Sequence, residues 1–159
     1  KFGDEKHARL IANAIIEIQK SSPIRTTLQL ASLIKDVYPE KKLKINPATK
    51  SFQAFRIFIN NELNEFKESL EIAKRIIKKD GLIVVISFHS LEDGIVKEFF
   101  KPIIKSFPKD IPLNSKEIKE FKCIAKKIKA SSTEVTKNPR SRSAIMRVFK
   151  KIWLAQKKL

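Results

Sequence analysis

The residues of this chain best suited to chemistry stand directly behind its most apolar run. Leu82 to Ile86 is followed by Ser87, Phe88, His89, Ser90, Leu91, Glu92 and Asp93. Open α/β sheets bind ligands at the carboxyl ends of their strands, so a polar cluster at this point is the best candidate pocket segment. The competing reading gives Ser90 and Asp93 to helix capping and makes His89 a hydrogen-bonded residue at a strand end. A second cluster, Asn138, Pro139, Arg140, Ser141, Arg142 and Ser143, sets two guanidiniums and two hydroxyls in one short polar stretch. Such a set suits bidentate contacts with phosphate, against the alternative of a solvated basic loop. Only seven of the 34 cations are arginine, which hints that geometry as well as charge is wanted where arginine occurs. Arg56 and Asn60 share one helix face a turn apart, and an ordinary polar stripe is the alternative there. Cys123 has no histidine partner arrangement that would mark a nucleophile and reads as a core thiol.

Positioning these groups requires a mixed set of elements. Leu10, Ile11, Ala14, Ile15 and Ile18 recur at helical spacing within residues 4–20. Thr26 and Gln29 form a capping box that opens a second helix, stopped by Pro39. Asn46 and Pro47 open a third. Continued to Lys79, it would be too long for a usual helix, so a bend or break is expected near the weak pair Asn60 and Asn61. Asp80 and Gly81 make a turn, and Leu82 to Ile86 reads as a strand buried on both faces. Ser90 is expected to cap a helix that Pro102 stops, with residues 102–114 as loop. From Phe121 to Lys129 the spacing fits both periods and leans to helix. Residues 130–143 read as loop, and Ala144 to Trp153 alternates as a final strand. The order helix, turn, buried strand, helix is that of an α/β fold.

Composition narrows the partners. The 159 residues suit one domain or two small ones, and Leu, Ile, Val and Phe together make up 33%, enough for a core. Thirty-four cations against 17 carboxylates give +17, which suggests a polyanionic partner. One cysteine and two histidines cannot assemble a zinc ligand set or an internal disulfide framework. No apolar stretch is long enough to span a membrane and no signal peptide is visible, so a cytoplasmic, reducing setting is expected. Gly3, Gly81 and Gly94 are too scattered for a glycine-rich phosphate loop.

Three blocks, PATKSFQAFRIFINNELNEF (47–66), DGLIVVISFHSLEDGIVKEFF (80–100) and EVTKNPRSRSAIMRVF (134–149), resemble the ribosomal RNA small subunit methyltransferase H family. KFGDEKHARLIANAI (1–15) is similar to part of that family's helical insertion domain. The resemblance implies an enzyme that uses S-adenosylmethionine to methylate N4 of a cytidine in 16S rRNA of the small ribosomal subunit. It covers only the C-terminal half of the family's sequence, and the family's glycine-rich turn and acidic active-site strand have no counterpart here. The fold implied is the C-terminal part of a Rossmann-like class I methyltransferase sheet with part of a helical insertion domain. Residues 1–46 would belong to the insertion and 47–159 to the methyltransferase domain. Final strands are then expected at 120–127 and 144–152, against the helical lean of the pattern alone.

Within that reading, the placement of the candidate residues suggests roles. His89 would position the base or relay a proton, with Ser87 and Ser90 as hydrogen-bond partners of the base. Arg140 and Arg142, with Asn138, would take RNA phosphate, and Arg56 and Asn60 would border the same cleft. Cofactor-binding residues are expected upstream, so the chain alone is expected to be inactive. A noncatalytic basic RNA-binding module is the rival reading, and a DNA-binding helical domain ranks below it for want of base-reading side chains on its most regular helix.

Overall fold

A computed structural model describes residues 5–39, 46–104, 117–118 and 120–152. Contacts divide the chain into two units, residues 1–62 and 63–159. No helix among the described residues is long and apolar enough to cross a membrane.

The first unit contains α1 (Ala8–Ser21), α2 (Thr27–Val37) and α3 (Ala48–Ile59). Ile11, Ile34 and Ala48 are buried together, with Ile15, Leu30, Ala31 and Phe52 packed against them. The amphipathic spacing of the first two helices and the cap at Asn46 therefore serve one small core. The Thr26 box forms as the residues dictate: Gln29 N–H donates to Thr26 Oγ1 at 3.2 Å, and Gln29 Oε1 accepts from Thr26 N–H at 3.0 Å. Tyr38 closes the hairpin by donating its hydroxyl to Glu5 Oε1 at 3.1 Å.

The expected break falls at Asn60 and Asn61. Asn61 has φ 52°, the left-handed region that a continuing helix cannot use, and α4 (Glu62–Ile76) starts after it. Asn61→Gly should leave thermal stability nearly unchanged, whereas Asn61→Val should cost about 1–2 kcal/mol, because a β-branched residue resists that φ. Equal melting temperatures for the two variants would show that the turn does not depend on this conformation.

The second unit is a three-stranded antiparallel sheet in the order β1, β5, β4 with helices packed on it. Its elements are β1 (Leu82–Ser87), α5 (Ser90–Phe99), β2 (Ile103–Ile104), β3 (Glu117–Ile118), β4 (Phe121–Lys129), α6 (Ser132–Lys137), a 3-10 turn (Pro139–Ser143) and β5 (Ile145–Lys151). Six α-helices and this sheet make an α/β architecture among the described residues. Leu70 of α4, Ile83 and Val85 of β1, Val96 of α5, Phe100, Phe121 and Phe149 form the core. The Phe100 ring stacks on Phe149 at 3.8 Å and meets Phe121 edge-on at 5.0 Å.

Several expectations need correction. β1 is buried on one face only: Ile83, Val85 and Ser87 are covered, while Leu82, Val84 and Ile86 are each more than half exposed. Core contacts from α4 and α5 reach one side of the sheet, which is why the run alternates in burial although its residues do not alternate in type. Residues 121–129 form a strand, as the resemblance implied and the periodicity did not. The stretch 130–143 is not loop. Ser131 caps α6 by accepting from Glu134 N–H at 3.2 Å, and Asn138 with Pro139 starts the 3-10 turn. Ile103 and Ile104, expected in a loop, pair with Ile118 and Glu117, while residues 105–116 and Trp153 lie outside the described residues. Cys123 is exposed rather than a core thiol, because the core reaches β4 only at Phe121.

Lys151 is buried at 4% exposure, and its ammonium donates to the carbonyls of Lys74 at 2.7 Å and Ile77 at 3.3 Å. A lysine from the last strand thereby satisfies carbonyls left open at the C-terminal end of α4. Glu120, ion-paired to Lys74 at 2.8 Å, lies 4.0 Å from the same ammonium.

Candidate functional site

The register of the sheet brings the two candidate clusters to one end. Ser87, the last residue of β1, pairs with Ile145, the first of β5, and Ile145 also pairs with Lys129, the last of β4. The turn that carries His89 and the turn that carries Arg140 and Arg142 therefore leave the same end of the sheet. Sequence order alone does not say this, because some fifty residues separate the two turns.

At the first turn Ser87 is 2% exposed and its hydroxyl donates to Ile145 O at 3.4 Å, so it also ties the strands together. His89, not Ser90, is the cap of α5. Its backbone is extended, its Nδ1 accepts from Glu92 N–H at 3.4 Å, and Glu92 Oε2 accepts in return from Phe88 N–H at 2.8 Å and His89 N–H at 3.4 Å. A capping box with histidine in the place usual for serine leaves the ring in a fixed orientation. Acceptance at Nδ1 puts the proton of the neutral ring on Nε2. That nitrogen is buried, lies 3.3 Å from Glu92 Oε1, and makes no geometrically sound hydrogen bond among the described residues. Ser90 is the first residue of the helix, and with Leu91, Gly94, Ile95 and Phe99 it lines an open, mainly apolar groove of about 550 Å³ facing Lys67 and Glu71.

Asp93, four residues on, does something its sequence position did not reveal. Arg147 Nε donates to Asp93 Oδ1 at 2.7 Å and Nη2 to Oδ2 at 3.0 Å, while Nη1 donates to Lys126 O. One arginine in the middle strand thus holds the first turn of α5 and the backbone of β4 at once. Hydrogen bonding from Arg147 holds the Asp93 carboxyl below the usual carboxylate range despite the opposing effect of burial, and Lys97 at 3.2 Å adds to it. Asp93 in turn raises Arg147. Acid in a helix and arginine in a later strand are each unremarkable, so no local signal marks this pair.

At the second turn Asn138 Oδ1 accepts from Arg140 N–H at 3.2 Å, and its carbonyl accepts the Ser141 hydroxyl at 2.8 Å. Ser141 is buried, whereas Arg140 and Arg142 are exposed and neither guanidinium has a partner among the described residues. Arg56 and Asn60 belong to the first unit, and both meet Glu62. Arg56 donates to its two carboxylate oxygens at 2.7 and 3.0 Å, and Asn60 Nδ2 donates to Oε1 at 3.4 Å. The charge of Arg56 is therefore already compensated, unlike that of Arg140 and Arg142. Among the described residues no group of His, Cys, Asp and Glu could hold a metal ion.

Comparison with known proteins accounts for nearly the whole chain. Residues 1–152 match the profile of the MraW methylase family. A Rickettsia bellii (strain RML369-C) protein named "Ribosomal RNA small subunit methyltransferase H" is 47% identical over 160 residues, covering 96% of this chain and 52% of its own length. Proteins of the same name from Wolbachia sp. subsp. Brugia malayi (strain TRS) and from Marinomonas sp. (strain MWYL1) are each 44% identical, covering 95% and 96% of this chain and 44% and 50% of their own lengths. The chain thus spans about half the length of the curated relatives it matches. With a profile match running through both candidate turns, from Lys1 to Ile152, this chain belongs to the MraW methylase family.

Proposed function

We propose that this chain is the C-terminal part of an S-adenosylmethionine-dependent methyltransferase that modifies N4 of a cytidine in 16S rRNA of the small ribosomal subunit, in the cytoplasm. The observation that carries the reading is the shared sheet end, where the oriented His89 ring and the uncompensated Arg140 and Arg142 leave through neighbouring strand termini. The exocyclic amine of cytosine is a weak nucleophile and must be held in line and relieved of a proton. With its Nδ1 taken by Glu92 N–H, His89 would position the base as a donor through Nε2 rather than take its proton, Ser87 and Ser90 would complete the pocket, and Asn138 would shape the turn whose arginines hold phosphate. Arg56 and Asn60 would border the RNA from the helical part. In this reading residues 1–46 belong to the inserted helical domain and 47–159 to the methyltransferase domain.

The described residues do not fit a complete site for S-adenosylmethionine. Glu92 is taken up by the His89 turn and Asp93 by Arg147, so neither is free for ribose hydroxyls, and no glycine-rich turn is present in the sequence. The rival reading, a noncatalytic basic RNA-binding module, draws on the same engagement of His89 and the acids in capping and pairing.

Supplied with labelled S-adenosylmethionine and small ribosomal subunits, the 159-residue chain should neither bind the cofactor by calorimetry nor transfer label. Adding the N-terminal half of a relative should restore transfer, read as N4-methylcytidine in digested 16S rRNA. Micromolar cofactor binding by the chain alone would overturn the division of the site, and no transfer with both halves would leave the noncatalytic module.

A further inference from the structure

Between Lys122 and Arg142 the chain exposes seven cations, Lys122, Lys126, Lys127, Lys129, Lys137, Arg140 and Arg142, and one acid, Glu134. None of the seven has an acidic partner among the described residues. Elsewhere in the same unit cations are commonly matched: Lys74 with Glu120, Lys97 and Arg147 with Asp93, Lys101 with Glu98, and Lys150 with Asp80. A concentration of unmatched like charge works against the compact state, so its density in this segment, seven cations to one acid, calls for a partner.

The fold carries this segment along one edge of the sheet. Lys129 pairs with Ile145, so residues between them form an excursion closed at its base, carrying Lys137, Arg140 and Arg142. Behind it runs β4, the edge of the sheet. The register slips between Ala125 and Ile128, so Lys126 and Lys127 together oppose Arg147, which fixes the bulge through the Lys126 carbonyl. From Lys122 to Lys129 the edge extends about 20 Å at roughly 3.3 Å per residue.

Lysines on an edge strand commonly serve to discourage pairing with other chains. That role accounts poorly for this pattern. The opposite edge, β1, carries no charge from Leu82 to Ser87, and Lys137, Arg140 and Arg142 lie off any strand.

We propose that the β4 edge and the 129–145 excursion form one phosphate-binding strip that tracks the RNA backbone, with the β4 lysines extending the contact beyond Arg140 and Arg142. The inference rests on RNA being the substrate, and adds the surface that holds it away from the reacting base.

The probe is a structured RNA hairpin cut from 16S rRNA, titrated across a salt series with the full 159-residue chain. K122Q/K126Q/K127Q/K129Q should weaken binding by at least about tenfold and reduce the log–log salt slope by roughly 3, at about 0.7–0.9 per lost contact. K78Q/K79Q, which removes two charges outside the strip, should change the slope less. Because removing edge lysines invites aggregation, acetylation of the unaltered chain with and without RNA supplies a second reading. Lys122, Lys126, Lys127 and Lys129 should be protected by RNA, and Lys78 and Lys79 should not. If the chain binds RNA but those four lysines stay equally reactive and the quadruple variant keeps its slope, the strip is overturned and the RNA reading stands. If the unaltered chain binds no structured RNA, both fall.

Discussion

Asp93→Ala is expected to destabilise the second unit by about 3 kcal/mol, read from urea unfolding of the 159-residue chain. The Asp93 and Arg147 side chains are 9% and 12% exposed, and removing the acid leaves a guanidinium in that setting with only a backbone carbonyl. Breaking a buried pair from one side costs roughly 3–5 kcal/mol, and the slight exposure and the remaining carbonyl place this case at the lower end. Replacing both residues, as in Asp93→Ala with Arg147→Met, should cost less than Asp93→Ala alone, since no uncompensated charge remains. Acidity should act on the same pair. Asp93 is lowered in the folded state, so its contribution is fully present above its unfolded value of about 3.9 and is lost as pH falls through the lower folded value. Acid unfolding below about pH 4 should therefore be shallower for the double variant than for the unaltered chain. A cost below about 1 kcal/mol for Asp93→Ala would mean that the pair behaves like a surface ion pair.

In an enzyme completed with the N-terminal half, His89→Ala should lower kcat by roughly a hundredfold with little change in RNA affinity, the order expected when a group that positions the reacting base is lost. The capping role of His89 complicates any such result, and the structure supplies the remedy. Asparagine is a strong helix cap, so His89→Asn should keep α5 intact where His89→Ala loses about 1 kcal/mol. If His89 acts at the base, both variants should lose turnover while only His89→Ala loses stability. Retained turnover in His89→Asn would reduce the histidine to a cap. Arg140→Ala with Arg142→Ala should behave in the opposite way, weakening RNA binding and lowering the salt slope by about two contacts, with rate recovered at saturating RNA.

What could be read from the residues themselves is what forms within a few positions along the chain. The Thr26 and Gln29 capping box, the break at Asn60 and Asn61, and the turn at Asp80 before β1 each depend on side chains bonding to nearby backbone or on a φ that few residues accept. The motif blocks around His89 and Arg140 were equally visible, and they carried the family and the strand at 121–129 that periodicity missed. Tertiary structure decided what depends on partners far along the chain. β4 is a strand because β5 offers it a ladder, and its own pattern fits a helix as well. β1 buries one face because α4 and α5 reach only that side, and Cys123 is exposed because the core reaches β4 only at Phe121. Asp93 and Arg147 meet across 54 residues, and Lys151 reaches the end of α4 across 77. The same pairing brings the His89 turn beside the arginine turn. Local capping and backbone preferences are written in neighbouring residues, whereas register, burial and long-range ion pairs arise only once distant segments share a sheet.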